Sequence, residues 1–245
     1  MGVGYRSHFP EKYREAFFIA DWSYGRILAI HMTPEGASYR GEEETFILGR
    51  PLNVTDFEFG PDGAMYFVTG GRKTQSALYR VGYVGRNESV EPVQNAAKPA
   101  DGTEAAGLRK LRRELEALQK STGDGPREKA LAHIDHPDRW IRFAARIVLE
   151  NQPTIDWRDE VLESGAATGL LALARVGDSS QRKGIIARLN SLPLGEMEGP
   201  DLLRLLRVYE VVFTRMGAPG EEERVDTIAR LAPLYPNPST KANHE

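Results

Sequence analysis

Alternating apolar and polar residues occupy the first third of the chain, which is the pattern of half-buried β-strands. Turn-forming residues such as Gly, Pro and Asp separate the runs. Residues 1–15, which mix Gly, Pro and alternating charge, are predicted to form a loop. The pattern predicts six strands, at residues 16–21, 26–32, 45–48, 55–59, 64–69 and 77–84.

The stretch 49–84 contains three of these strands and is typical of a β-meander. Its first turn is the segment Pro61-Asp62-Gly63, where glycine can take a positive φ. A similar strand–turn–strand pattern lies 48 positions upstream, with Phe18 in the place of Tyr66. A period of about 40–50 residues suits β-propeller blades, although an ordinary antiparallel sheet also shows this alternation.

Six strands make about one and a half four-stranded blades, whereas a propeller closes with about 4–8 blades. An unclosed sheet leaves backbone donors and acceptors unpaired at its edges, which invites association with another strand. We therefore expect the sheet to pair with the missing propeller blades or with another protein chain, or to fold back on the helical part.

The second half of the chain has the 3.6-residue apolar period of helices, beginning at Glu104. Asp101 and Glu104 have the spacing of a capping box at the first helix. Eight helices are predicted, including this one and a helix between Pro137, in its first turn, and Pro153, beyond its end. The other six span residues 127–134, 157–164, 167–176, 181–192, 201–216 and 221–231.

Short consecutive helices favour a stack of helical hairpins, as in HEAT or armadillo repeats. In the first helix, Arg109, Arg112 and Arg113 are expected to lie away from the apolar stripe. The predicted fold class is α+β and multidomain, with a partial antiparallel β-propeller followed by helical repeats. The predicted domains are residues 1–85 for the blades, 86–103 for a linker, 104–235 for HEAT-like repeats and 236–245 for a flexible tail.

Composition narrows the possible functions. The 245 residues carry a net charge of −3, so no basic surplus exists for broad nucleic-acid binding. The chain has no cysteine, which excludes thiolate catalysis, zinc–cysteine sites and covalent c-type haem within it. Its apolar runs reach about five residues, against about 20 for a membrane span, and its first 18 residues lack a signal-peptide pattern.

Three segments resemble a known family: GYRSHFPEKYREAFFIADWSYGRILAIHMTPEGASY, GRPLNVTDFEFGPDGAMYFVTGGRKTQSALYRVGYVG and DHPDRWIRFAARIVLENQP. The resemblance is to large bacterial proteins described as membrane-bound dehydrogenases or haem-binding proteins with a CxxCH motif. Those proteins join a propeller similar to quinone-dependent glucose and sorbosone dehydrogenases to HEAT-like repeats, often with a cytochrome c domain after them. The resemblance covers about residues 2–240.

The resemblance implies an exported periplasmic or cell-envelope parent that oxidises a sugar or alcohol. Pyrroloquinoline quinone (PQQ) and calcium would serve as cofactors, and electrons would pass to haem c in a domain that this chain lacks. We therefore expect a fragment that is inactive alone. The alternatives are a non-catalytic propeller and HEAT-repeat scaffold for a protein or glycan partner, and a truncated reading frame without activity of its own.

The candidate cofactor-binding residues are Arg50, Thr55, Asp56 and Arg72. In the dehydrogenases that the chain resembles, an arginine–aspartate segment before the PDG turn lies against the quinone. Asp56 matches the aspartate, whereas Thr55 stands where the arginine is expected, so that Arg50 would have to replace it. Arginine suits a quinone carboxylate because its guanidinium donates two parallel hydrogen bonds. The alternatives are an Arg50–Asp56 pair that braces a loop and a solvated Arg72.

Two further pairs of residues, Asp21 with Trp22 and His133 with His136, are explained by local structure rather than by a binding site. Asp21 is expected to accept backbone hydrogen bonds in the turn after its strand, and Trp22 to pack between blades. His133 and His136 have an HxxH spacing, but they lie at a helix break and have no obvious third ligand, which argues against a metal site. The sequence assigns no catalytic residue.

Overall fold

The structure, a computed structural model, describes residues 1–71, 73, 75–85, 104–197 and 199–234. The chain forms two compact units, Met1–Gly107 and Leu108–Glu245. The fold is mixed α+β, and the two antiparallel sheets in the described part of the chain do not close into a barrel. Four predictions lie outside the described residues: the 86–103 linker, the 236–245 tail, the cap at Asp101 and the site residue Arg72.

The first sheet has four antiparallel strands in sequence order. They are β1 (Gly2–Val3), β2 (Phe17–Asp21), β3 (Arg26–Glu35) and β4 (Ser38–Leu48). The prediction of a loop over residues 1–15 is wrong, because this segment contributes β1, a 3-10 turn and the short helix α1 (Glu11–Arg14).

The hairpin of β3 and β4 is longer than the apolar pattern predicts. β3 continues through Pro34, which lies opposite Tyr39, and the loop consists of Gly36, with φ 52°, and Ala37. The first half of β4 is rich in charged residues and largely exposed, so it shows no apolar alternation. The prediction that this strand begins at Thr45 is wrong because backbone pairing with β3, rather than burial, forms its first half.

The second sheet is an antiparallel meander of three strands, β5 (Val54–Phe59), β6 (Met65–Thr69) and β7 (Ala77–Val81). All three predicted strands are confirmed, and β7 ends earlier than the predicted position 84. The turn between β5 and β6 contains Gly63 at φ 70°, as the PDG sequence predicts.

An aromatic core joins the two sheets within the first unit. Phe18 of β2 is fully buried, and its ring centroid lies 5.1 Å from Phe46, 6.4 Å from Phe57 and 5.5 Å from Phe59. All three contacts have edge-to-face geometry, which adds about 0.5–1.5 kcal/mol per pair to simple burial. The inner faces of the two meanders therefore pack on each other through large side chains.

The second unit is helical, and the boundary between the units falls within its first helix. The helices are α2 (Glu104–Leu118), α3 (Asp124–His133), α4 (Arg139–Glu150), α5 (Arg158–Ser164), α6 (Ala167–Val176), α7 (Arg182–Ser191), α8 (Gly199–Arg215) and α9 (Glu221–Leu231). All eight predicted helices are confirmed. None of the helices described is long and apolar enough to cross a membrane.

The helices pack as hairpins in two layers. α3 contacts α4, α5 contacts α6 and α7 contacts α8. α4, α6 and α8 lie side by side in one layer, while α5, α7 and α9 form the second. The core of this unit includes the fully buried residues Ile141, Leu170, Leu173, Ile185 and Val208.

Two local predictions about the helices are wrong. Pro137 lies outside α4, because Asp138 caps the helix: its Oδ1 accepts hydrogen bonds from the backbone N of Trp140 at 2.8 Å and of Ile141 at 3.2 Å. Arg109 does not lie on an exposed face, since only 5% of the residue is exposed. A long arginine stem can cover apolar surface, which makes such burial possible.

Arginines bind the C-terminal ends of three helices. Arg188, Arg215 and Arg230 donate hydrogen bonds to backbone carbonyls at the ends of α5, α6 and α7, at 2.9, 2.7 and 2.7 Å respectively. The last carbonyls of a helix have no intrahelical donor, and the helix dipole favours positive charge there. These arginines therefore hold neighbouring hairpins together.

Candidate functional site

The three described residues of the predicted cofactor site lie near the start of the second sheet. Arg50 is in the turn after β4, while Thr55 and Asp56 are consecutive residues of β5. All three are exposed. The structure brings Thr55 and Asp56 together, but within the described ranges no hydrogen bond or ion pair joins Arg50 to Asp56.

A β-bulge exposes Thr55 and Asp56 on the same side of the sheet. The register of β5 shifts between Val54 and Asp56, so Thr55 is an extra residue in the strand. The Thr55 hydroxyl donates to the carbonyl oxygen of Val68 at 3.2 Å, and Asp56 Oδ1 accepts from the backbone N of Phe57 at 2.9 Å. Bulges often lie next to active sites because they re-aim side chains.

The sequence contains a signal for this bulge that simple alternation misses. The buried residues of β5 are Val54, Phe57 and Phe59, which are spaced by three and then by two positions. A regular strand needs a spacing of two to keep its side chains on one face. The extra residue restores this register, so that all three face the core.

The resemblance implies calcium for the complete parent protein. Calcium takes about six to eight oxygen ligands. Within the ranges described here, no group of three or more His, Cys, Asp or Glu side chains could hold a metal ion. His133 and His136, whose ring centroids lie 6.1 Å apart, belong to no such group.

A polar cluster ties β7 to the turn between β5 and β6. Nε and Nη2 of Arg80 donate to Oδ2 of Asp62 at 2.9 and 2.7 Å, and the Tyr66 hydroxyl donates to the same oxygen at 2.9 Å. These hydrogen bonds, chiefly those from Arg80, lower the pKa of Asp62 to about 2. Together with His8 and Tyr83, Asp62 and Arg80 line a depression of ≈ 260 Å³. The cluster braces β7, since the Arg80 guanidinium already binds a carboxylate.

A second polar cluster fixes α1 against β3 and β4. Glu44 accepts hydrogen bonds from the Tyr13 hydroxyl at 2.7 Å, from His31 Nε2 at 2.7 Å and from Lys12 Nζ at 3.2 Å. The bonds from Tyr13 and His31 lower the pKa of Glu44 to about 2. His31 Nδ1 lies 3.2 Å from the carbonyl oxygen of Lys12. Both ring nitrogens are thus engaged, so this histidine braces α1 and is not poised as a general base.

The prediction that Asp21 accepts a backbone hydrogen bond in the turn after its strand is confirmed. Its Oδ1 accepts a hydrogen bond from the backbone N of Tyr24 at 3.3 Å, in the turn between β2 and β3. Its Oδ2 also accepts from Nε of Arg26 at 2.9 Å, and this bond is the main cause of a lowered Asp21 pKa. The aspartate therefore stabilises a turn.

β7 is an edge strand of the second sheet, as is β5 on the opposite side. In the described part of the chain, β7 pairs with β6 on one side only. Leu78 is 69% exposed and Tyr79 is 41% exposed, and Val68, which lies opposite Leu78, is 38% exposed. Edge strands are commonly protected by charges, prolines or bulges. The single charge of β7, on Arg80, is bound by Asp62.

The helical unit contains a groove of ≈ 390 Å³. It lies where the C-terminal ends of α3, α5 and α7 meet the N-terminal ends of α6 and α8. Its lining combines aliphatic side chains with Asp135, Glu160, Asp201 and Arg204. Sequence reasoning missed this groove because its residues are scattered over about 75 positions and become neighbours only when the hairpins stack.

Comparison with known proteins adds no family to this description. No family model matches the chain, and no match was found among the curated proteins or the solved structures.

Proposed function

We propose that the chain is a binding scaffold, with a first unit that is part of a β-propeller and a second unit that is a HEAT-like spacer. The observation that carries this proposal is the apolar edge of β7, which pairs with no second strand among the described residues and exposes Leu78 and Tyr79. The partner is an extended protein segment that adds a strand beside β7.

The two sheets support the propeller assignment. Both are antiparallel meanders with their strands in sequence order, and they contain four and three strands respectively. A propeller blade has four strands. One more strand beside β7 would therefore give the second sheet four strands, like the first. The packing of Phe18 on Phe57 and Phe59 joins the sheets as neighbouring blades would be joined.

Strand addition is a recurring form of peptide recognition. Main-chain hydrogen bonds give affinity, and alternate side chains of the added strand give specificity. Beside β7, one face of an added strand would lie next to Leu78 and the other next to Tyr79. We therefore expect a partner strand with apolar side chains on both faces.

The layered helices support the HEAT-like assignment. Three hairpins stack so that α4, α6 and α8 form one layer, and stacked hairpins of this kind present extended surfaces to partners. Such a scaffold needs no catalytic residue.

Self-association in solution tests the open edge. Without another strand, an exposed apolar edge pairs with a second copy of itself, so sedimentation velocity should show association that grows with protein concentration. Leu78→Lys should suppress it, since a charge protects an edge strand. Val225→Lys is the matched control, because Val225 is 54% exposed but lies on α9. A wild-type chain that stays monomeric, or equal effects of both variants, would overturn the proposal.

Quinone-dependent oxidation of a sugar or alcohol is the second candidate function. The β-bulge favours it by exposing Thr55 and Asp56 side by side, in agreement with the resemblance of the segment around them. Titration with PQQ and calcium, followed by quinone absorbance, tests this candidate. Binding that is lost in Asp56→Asn but retained in Glu58→Gln would favour it over the scaffold.

A further inference from the structure

We propose that the strand added beside β7 carries an aromatic residue opposite Tyr79, followed in sequence by an aliphatic residue opposite Leu78. This inference rests on the strand addition proposed above and specifies the sequence of the added strand. Tyr79 is then the residue that determines which strands bind well.

A row of aromatic residues crosses the second sheet and ends at the edge formed by β7. Phe57, Phe67 and Tyr79 lie directly opposite one another on β5, β6 and β7, so their side chains share one face of the sheet. Phe57 and Phe67 are 9% and 2% exposed, whereas Tyr79 is 41% exposed. The row is therefore buried on β5 and β6 and accessible on β7, the strand beside which the partner is proposed to bind.

The rings of Phe67 and Tyr79 are stacked in a way that a further strand can continue. Their centroids lie 4.8 Å apart, with an angle of 15° between the ring planes. This distance matches the separation of neighbouring strands, about 4.7–4.9 Å. Because Phe67 covers one face of the Tyr79 ring, the other face is turned towards the edge. An aromatic side chain opposite Tyr79 on an added strand would therefore lie within stacking distance of that face.

The other face of β7 defines the next residue of the added strand. Val68 and Leu78 lie opposite each other there and are 38% and 69% exposed, so an aliphatic residue opposite Leu78 would bury apolar surface. Arg80, on the same face, already binds Asp62 and requires no charge on the added strand. If the added strand continues the antiparallel order of the sheet, its residue opposite Leu78 directly follows the one opposite Tyr79.

Two synthetic peptides that differ in one side chain test this specificity. Acetylated, amidated TTFVTT places phenylalanine opposite Tyr79 and valine opposite Leu78, and TTLVTT replaces only the phenylalanine. Each peptide is titrated into dilute protein, and the hydrogen exchange of the Ala77–Val81 amides measures binding to the edge. NMR of protein labelled with ¹³C in its tyrosine rings gives a second readout, because an aromatic ring stacked on Tyr79 moves the Tyr79 signal to higher field. Tyr79→Phe assigns that signal.

The wild-type protein should bind TTFVTT about two- to tenfold more tightly than TTLVTT, the extra affinity of an aromatic pair beyond simple burial. Only TTFVTT should move the Tyr79 ring signal to higher field. Tyr79→Leu should bind the two peptides with nearly equal affinity, whereas Tyr79→Phe should keep the preference. Tyr24→Leu, at a position that is 73% exposed between β2 and β3, is the matched control and should behave like the wild type.

Equal affinities of the wild-type protein for the two peptides, or a preference that survives in Tyr79→Leu, would overturn this inference and leave strand addition intact. Protection of β7 by neither peptide would overturn it together with strand addition. The two failures differ in the exchange of β7 itself, which slows in the first case and not in the second.

Discussion

The indole Nε1 of Trp22 donates a hydrogen bond to the carbonyl oxygen of Gly70 at 3.0 Å. The carbonyl oxygen of Trp22 in turn accepts from Nδ2 of Asn53 at 2.9 Å. The adjacent Gly71 has φ 94°, and a Cβ added there would lie only 3.1 Å from Cζ2 of Trp22. Trp22 therefore ties the turn after β2 to one end of the β5–β6 pair, where β5 begins and β6 ends.

Replacing this tryptophan tests the link between the sheets. Trp22→Phe keeps an aromatic ring but removes the donor to Gly70, and we expect a loss of about 0.5–1.5 kcal/mol in the free energy of unfolding. Urea unfolding monitored by circular dichroism measures it. Tyr24→Phe, at a position that is 73% exposed in the same turn, should change little. A Trp22→Phe protein as stable as the wild type would show that this hydrogen bond contributes nothing.

The glycine of the PDG turn is required by both its backbone and its neighbour. Gly63 has φ 70°, and a Cβ there would lie 2.2 Å from Cγ of His8. Gly63→Ala should destabilise the first unit by at least about 1–2 kcal/mol, the strain of a left-handed residue with a side chain. Gly125→Ala is the control, because a Cβ at Gly125 would meet nothing within 4 Å. It should stabilise the protein by about 0.4–1 kcal/mol, and equal effects in thermal unfolding would refute this argument.

The lowered pKa of Glu44 predicts a specific acid sensitivity. Its folded pKa of about 2 lies below the ordinary value of 4.5, so the carboxylate stabilises the fold above pH 4.5 and loses this effect as the pH falls towards 2. Glu44→Gln should therefore be less stable than the wild type at pH 6, and the difference should shrink by pH 3. Chemical unfolding at both pH values measures this difference.

The control for Glu44→Gln is a carboxylate of the same sheet without such partners. Glu35→Gln changes an exposed position at the end of β3, and its stability should follow that of the wild type at both pH values. A Glu44→Gln difference that stays constant from pH 6 to pH 3 would contradict the role given to this cluster.

The cap of α4 gives a prediction for the helical unit. Asp138→Ala removes the acceptor for the backbone N of Trp140 and Ile141, and should reduce the free energy of unfolding by about 0.5–2 kcal/mol. Asp138→Asn should restore most of the loss, because asparagine caps nearly as well. If both variants lost stability equally, the charge rather than the cap would be responsible. Guanidinium unfolding of the three proteins distinguishes the two.

Strands and helices with apolar periodicity were predictable from the sequence, because burial of one face determines both the pattern and the element. The charged half of β4 and the short helix α1 were not, since long-range contacts hold them. Glu44 and Tyr13 are 31 positions apart, and no local pattern links such residues. Helix starts depend on a few capping hydrogen bonds, which is why the apolar pattern places Pro137 inside α4 although Asp138 caps the helix.

The candidate site was predictable only in part. The sequence placed Thr55 and Asp56 before the PDG turn, and the three-residue spacing of Val54 and Phe57 contains the signal for the bulge that exposes them. The groove could not be predicted, because its residues meet only when five helices pack. The unpaired edge of β7 was predictable because six predicted strands are too few for two complete blades. The exposure of Leu78 is visible only in the three-dimensional structure.

Hydrogen exchange at β7 tests the central claim most directly. Amides of an unpaired edge exchange quickly and become protected when a second strand binds. We predict that the exchange of residues Ala77–Val81 slows when the wild-type protein is concentrated, and that Leu78→Lys abolishes this change while Val225→Lys does not. Exchange at β7 that is independent of concentration, or slowing confined to the helices, would contradict the proposal that this edge pairs with another strand.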